Sequence, residues 1–268
     1  MKFDVATFVS LWIVTFLCGA LVATALSRMF RQVTAFRFWA LAFYLLAASS
    51  ACFALHLTWV NDLLLVATAT LALQSRILIW AGTRELFGET APWRAGLAVT
   101  AVFCVLYGSA LMFRVPMVLR ALLLALFFLP CRAATLYEVC RRRRPNLGPA
   151  RLIVVIGSTI AILNTTVPLT LVLLDRANLS LLLGNPQTTS ALYAVVFAGD
   201  LLLASGLFVL AFKLLIVERD MLATLDRSAS ERLAGARQMR ADSDCRAARG
   251  DTRGHDTPTQ CRSLPGPV

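Results

Sequence analysis

Among the charged side chains inside the long apolar stretches of this sequence, four are best placed to do chemistry. They are Arg76, Arg120, Arg132 and Asp200. A charge at the centre of an apolar helix costs about 2.5–3.5 kcal/mol on insertion scales, so each should find a partner or reach a polar interface. Arg120 and Arg132 lie within a few residues of predicted helix ends, where a long side chain can extend to the interface. Arg76 and Asp200 lie deeper.

Arg76 and Asp200 are predicted to lie at similar depths in two helices that run in the same direction. Arg76 is 13 residues into the third apolar span and Asp200 is 9 residues into the seventh. The difference in depth is about 6 Å at 1.5 Å per residue, which an arginine side chain covers. We therefore predict an ion pair that locks the two helices together, and the alternative is a ligand or proton site.

Signatures of catalysis and of metal binding are missing from the sequence. It contains no G-x-x-x-x-G-K-[ST], no H-E-x-x-H and no G-x-S-x-G motif, and these are the patterns that hold phosphates, zinc or a nucleophilic serine. The seven cysteines include no C-x-x-C pair, and there are two histidines. We predict no catalytic residues, no cofactor and no metal site.

The composition is that of an integral membrane protein. Of the 268 residues, 58% are hydrophobic and 15% are charged, against about 25% charged in soluble domains. The fold class predicted is an all-α integral membrane protein, a bundle of seven transmembrane helices with a short juxtamembrane helix and a disordered polar tail. The predicted spans are Ala6–Ser27, Phe38–Val60, Leu63–Thr83, Ala95–Phe113, Met117–Tyr137, Leu152–Leu174 and Ala191–Val217.

Three parts follow from these spans. Residues 1–217 form the seven-span membrane domain, 218–233 a juxtamembrane signalling helix, and 234–268 a cytoplasmic tail that is polar, aperiodic and expected to be disordered. Although the net charge is +11, we predict no nucleic-acid binding, because the excess lies in the loops between spans. The expected partner is the lipid bilayer.

The orientation follows from the arginines and lysines of alternate loops. One set of loops holds ten basic residues and the other holds three. The positive-inside rule places the richer set in the cytoplasm. This predicts a multi-pass protein of the bacterial inner membrane, with the N-terminus outside and the C-terminus in the cytoplasm.

A possible dimerisation surface follows the last span. Leu222, Leu225, Ala229 and Leu233 are separated by three or four residues, which favours a short two-stranded coiled coil and a homodimer. About one and a half heptads is shorter than a convincing coiled coil, so a frayed helix is the alternative.

Three segments resemble the multi-span input region that precedes the GGDEF domain in many bacterial diguanylate cyclases. They are residues 38–43 (FWALAF), residues 80–88 (WAGTRELFG) and residues 217–222 (VERDML). The resemblance covers roughly residues 1–230 and depends on the order and spacing of the segments. It implies a membrane-embedded sensor whose last helix passes a signal onward.

The sequence departs from that family after Leu225. The family continues into T-D-x-L-T-G-L-x-N-R-R and a GGDEF domain, whereas this chain reads Leu225-Asp226-Arg227-Ser228-Ala229-Ser230. No catalytic or metal residue of the family can therefore be carried over, and we expect an input module that is truncated or depends on a partner, with its ligand unknown. The alternative function is a small transporter or lipid-handling protein.

Overall fold

The structure, a computed structural model, describes residues 5–141, 148–173 and 186–251. Within these ranges the chain forms seven helices and no strand, and short turns join the first five helices. Each helix is long and apolar enough to cross a bilayer. The helices are α1 (Val5–Met29), α2 (Ala35–Thr58), α3 (Asp62–Leu86), α4 (Trp93–Met112), α5 (Met117–Arg141), α6 (Gly148–Leu173) and α7 (Pro186–Asp251).

The seven helices predicted from apolar length are confirmed, but several of their ends differ from the prediction. α5 continues to Arg141, where the predicted span ends at Tyr137, and α7 begins at Pro186 inside the predicted loop. Apolar length measures only the part of a helix that avoids water. The backbone continues until hydrogen bonding or capping ends it, so a helix is longer than its apolar part.

α3 and α4 end in the same hydrogen-bonded turn. At the end of α4, the amide of Val115 donates to the carbonyl of Ala110 at 2.9 Å, and Arg114 adopts the left-handed conformation with φ of 50°. Gly88 holds the equivalent position after α3, with φ of 81°. This six-residue closure satisfies carbonyls that the helix end leaves free.

The compact unit formed by residues 1–213 has α3 at its centre. α3 packs against α2 on one side and against α4 and α5 on another. At the α3–α4 contact, α4 contributes the stacked rings of Phe103 and Tyr107, whose centroids lie 5.4 Å apart. The buried cluster around them contains Ala69, Leu73, Ile77, Phe103, Tyr107 and Leu111.

Trp39 joins α2 to α3. Its indole nitrogen donates to the carbonyl of Ile79 at 3.3 Å, and the whole side chain is buried. A Cβ on Gly82 would lie 2.6 Å from the Trp39 ring, so only glycine admits the indole at this point. Phe208 of α7 packs edge-on against the same ring, with centroids 6.2 Å apart.

α6 and α7 approach each other along three glycines, Gly157, Gly199 and Gly206, which we call the glycine seam. A Cβ on Gly157 would lie 2.6 Å from the backbone nitrogen of Leu203, and one on Gly206 would lie 2.9 Å from that of Val154. Real side chains do not come this close to backbone atoms. Small residues permit the close packing that apolar surroundings favour between helices.

A second unit comprises residues 214–268. Its described part is the C-terminal portion of α7, which ends at Asp251. Helix over residues 234–251 differs from the disordered tail predicted there. The segment is rich in Ala and Arg, which have high helix propensity, and it contains no proline. The lack of an apolar face therefore did not prevent a helix. Residues 252–268 of the predicted tail lie outside the described residues.

Candidate functional site

Arg76 and Asp200 lie together in a buried ion pair. Nη2 of Arg76 donates to both carboxylate oxygens of Asp200, at 2.8 Å each. The side chains are 9% and 7% exposed. The pair joins α3 to α7, the two helices that the sequence predicted it would join. One guanidinium nitrogen makes both contacts, and Nε of Arg76 has no hydrogen-bond partner among the described residues.

Arg132 of α5 lies near this pair, which differs from the predicted position at an interface. Its Nη1 donates to the carbonyl of Ala161 and to the hydroxyl of Thr165, both on α6. Arg132 and Arg76 line the same cavity. Because α5 continues to Arg141, Arg132 lies nine residues from the helix end, or about 14 Å. Both hydrogen bonds are made to α6, so the side chain extends toward the neighbouring helix and not along α5 to its end.

Arg120, the other arginine predicted to reach an interface, lies in the first turn of α5. Its amide donates to the carbonyl of Pro116 at 3.2 Å, and its side chain is partly buried. It does not line the cavity that is bordered by Arg76 and Arg132. Arg120 and Arg132 therefore occupy different surroundings, although both were predicted to reach an interface.

A cavity lies between Arg76 and Arg132. Side chains from α3, α5, α6 and α7 surround it, and it offers about 10 Å³ to the centre of a water molecule. A single water needs about this much room. Its lining includes the polar residues Arg76, Arg132, Thr135 and Ser158.

Ser158 contributes a buried hydroxyl that the sequence analysis missed. The residue is 2% exposed, and Oγ has no hydrogen-bond partner in the described part of the chain. Most buried hydroxyls in helices donate to the carbonyl four residues earlier, as Thr135 does to Cys131 at 3.0 Å. A serine in an apolar helix does not by itself indicate a functional site in a sequence. Ser158 is distinguished only because it lines the same cavity as two arginines.

A second polar cluster lies at the C-terminal end of α3. Arg84 forms ion pairs with Glu89 at 2.9 Å and with Glu138 of α5 at 3.7 Å. Thr34, just before α2, donates to Glu85 at 2.7 Å. These contacts tie the ends of three helices together. In the ranges that the structure describes, no three His, Cys, Asp or Glu side chains group as metal ligands would.

The predicted coiled-coil residues Leu222, Leu225, Ala229 and Leu233 all lie on α7 in the second unit. Each is exposed, the three leucines by 62%, 59% and 62%. Three exposed leucines within twelve residues form an apolar stripe on an otherwise polar segment. An apolar stripe of this kind on a polar helix is typical of a contact surface.

No protein-family model matches the sequence, and neither a curated protein nor a solved structure matches it. The resemblance to cyclase input regions therefore depends on its three short segments. Two of those segments are in contact, because Trp39 of the first packs against Gly82 of the second. The contact gives a physical reason for a tryptophan and a glycine at these positions.

Proposed function

We propose that this chain is a multi-pass protein of the bacterial inner membrane and that it acts as a signal-input module. Insertion into a bilayer is supported by the outer surface of the bundle, which is apolar where a soluble protein would be polar. Val14, Val105 and Leu126 are 59%, 71% and 62% exposed in the middle of their helices. Contact of these side chains with lipid carries no hydrophobic penalty, whereas their contact with water does.

One observation carries the signalling role. Asp200 and the exposed leucines from Leu222 onward belong to the same helix, α7. A stimulus that alters the Arg76–Asp200 pair would therefore act on the helix that also carries the contact surface. The proposal thus has two parts that signalling requires. One is a buried contact that a stimulus can alter, and the other is an exposed surface whose binding to a partner can respond to that change.

The proposed reader of that surface is a second copy of the chain. Leu222, Leu225 and Ala229 repeat at the spacing of coiled-coil core positions, and two identical stripes in parallel would bury each other's leucines. Because the GGDEF signature is absent from these 268 residues, the output is proposed to lie on another polypeptide or segment. We expect no synthesis of cyclic di-GMP from GTP by these residues.

Disulfide cross-linking in membranes tests the dimer. In a background with Cys245 and Cys261 replaced by serine, Leu225→Cys should form disulfide-linked dimers on mild oxidation, because core positions of a parallel pair lie within disulfide reach. The matched control is Arg227→Cys, which lies two residues away on the opposite face of the helix. Equal cross-linking of the two variants, or none in either, would contradict the proposed dimer.

A small transporter or lipid-handling protein remains the second candidate. It is favoured by the buried charges beside the cavity, since ionisable residues inside a bundle often belong to substrate or ion pathways. Flux assays on reconstituted vesicles separate the two roles. A transporter moves its solute without the stripe, so replacing Leu222 and Leu225 by serine would leave transport intact but would abolish a signal that depends on dimers.

A further inference from the structure

The charges around the cavity do not balance. Arg76 and Arg132 contribute two guanidinium groups, and Asp200 contributes one carboxylate. In the described ranges no second acidic side chain forms an ion pair with either arginine. Arg132 is partly buried and its Nε is fully buried, so the lack of an acidic partner for one of the two positive charges is unfavourable.

Unused hydrogen-bond donors accompany this excess charge. Nε of Arg76, Nε of Arg132 and Oγ of Ser158 are buried, and none has a hydrogen-bond partner in the parts of the chain that are described. The three residues lie on α3, α5 and α6, and all three line the same cavity. Donors that are buried without an acceptor are rare in folded proteins.

The size of the cavity restricts what can accept these hydrogen bonds. With about 10 Å³ available to the centre of a water molecule, it suits one particle close to the size of water. A carboxylate or phosphate group is too large to enter without movement of the helices. A water molecule fits, but it accepts two hydrogen bonds and carries no charge, so it leaves the excess positive charge unbalanced.

We infer that the cavity is a binding site for one small monovalent anion, with chloride as the natural occupant. Chloride is only slightly larger than water and accepts hydrogen bonds from several directions. Guanidinium and hydroxyl groups are its usual partners in proteins, because they are donors that bear positive charge or partial charge. The anion would complete the balance of two arginines against Asp200, and the site would tie α5 and α6 to the α3–α7 pair.

This inference does not depend on the signalling role, because binding is measured on the purified full-length chain without any output. The probe is sodium chloride, exchanged for sodium gluconate at constant ionic strength. For the unaltered protein in detergent, the midpoint of thermal unfolding should rise with chloride concentration and then saturate. A ligand that binds only the folded state has this effect.

Two variants locate the site. Ser158→Ala should weaken chloride binding roughly tenfold, because it removes one donor to a charged acceptor, while the midpoint in gluconate should not fall. Arg120→Gln is the matched control, since Arg120 is an arginine of the same helix that does not line the cavity, and its chloride dependence should equal that of the unaltered protein. Line broadening of the chloride-35 NMR signal gives a direct measure of binding in all three proteins.

Three results would overturn the inference. Equal unfolding midpoints in chloride and gluconate would mean that the cavity holds water. An unchanged affinity in Ser158→Ala would place any chloride site elsewhere. A loss of chloride dependence in Arg120→Gln as large as that in Ser158→Ala would show a general effect of salt on the bundle rather than one bound ion.

Discussion

Arg132 changes what the removal of each partner of the ion pair should do. Without Asp200, the two arginines would face one another with no acidic side chain between them. Without Arg76, Asp200 would keep Arg132 as a nearby positive charge. The two halves of the pair are therefore not equivalent, although a pair considered in isolation would make them so.

We predict an unequal double-mutant cycle for this site. Asp200→Leu should destabilise the protein by about 3–5 kcal/mol, the usual cost of leaving a buried charge unpaired. Arg76→Leu should cost less, because Arg132 is near enough to compensate for Asp200. The double variant should lose less stability than the two single losses added together. Thermal or denaturant unfolding in detergent measures all three.

Arg120→Leu serves as the control for removing an arginine from an apolar helix. It should have a smaller effect than Asp200→Leu and should add to it independently. If the two single effects at positions 76 and 200 simply add, the two side chains do not interact in solution. If Arg76→Leu is the more damaging change, Arg132 does not share the charge of Asp200.

The ion pair was predictable from the sequence, whereas the role of Arg132 was not. Depth along a helix follows from counting residues, and Arg76 and Asp200 matched in depth. The position of Arg132 required one further fact, the face that α5 turns toward α6. That face is set by packing between helices, which apolar length does not report.

At the scale of elements, the glycine seam fixes how α6 and α7 pack. Gly157 of α6 faces the backbone of Leu203, only three residues after Asp200. The distance between α6 and the ion pair is therefore set by a residue without a side chain. A methyl group at this position would push the helices apart beside the cavity.

We predict that Gly157→Ala destabilises the protein and that Gly108→Ala does not. The new methyl group of the first would meet a backbone nitrogen at 2.6 Å, while that of the second would have no atom within 4 Å. Overpacking of this kind costs about 1–3 kcal/mol. In an open position, replacing glycine by alanine favours the helix by up to about 1 kcal/mol. Unfolding in detergent measures both changes.

Equal losses of stability in the two variants would show that α6 and α7 pack less closely at the glycine seam than these distances indicate.

The existence and order of the helices were predictable, because about twenty successive apolar residues are typical of a membrane-spanning helix. The pairing of their faces was not, since glycines occur throughout these spans and only some of them lie at a contact. The helix over residues 234–251 was missed for the opposite reason, because propensity alone, without an apolar face, produced it.

At the scale of the whole molecule, the proposed orientation depends on the basic loops alone. Ten basic residues lie in one set of loops and three in the other. Seven spans place the two termini on opposite sides. The richer set would hold the arginines that follow α1, α3 and α5.

We predict that a reporter fused after Gly148 reports the cytoplasm and that one fused after Gly184 reports the periplasm. Alkaline phosphatase and a fluorescent protein, which are active on opposite sides of the inner membrane, give complementary readings at each site. The reverse pattern would invert the protein and place the leucine stripe outside the cell. If both fusions report the same side, the segment between Gly148 and Gly184 does not cross the membrane, and the chain has fewer than seven crossings.

The distance in sequence between Arg76 and Asp200 also has a consequence during synthesis. The two residues are 124 positions apart, so at about 5–20 residues per second Asp200 is made roughly 6 to 25 s after Arg76. Arg132 also precedes Asp200. Throughout this interval the growing chain carries two arginines whose acidic partner does not yet exist. A chain that stops before Asp200 would carry both arginines without this carboxylate, and we expect its helices to pack less stably than those of the finished chain.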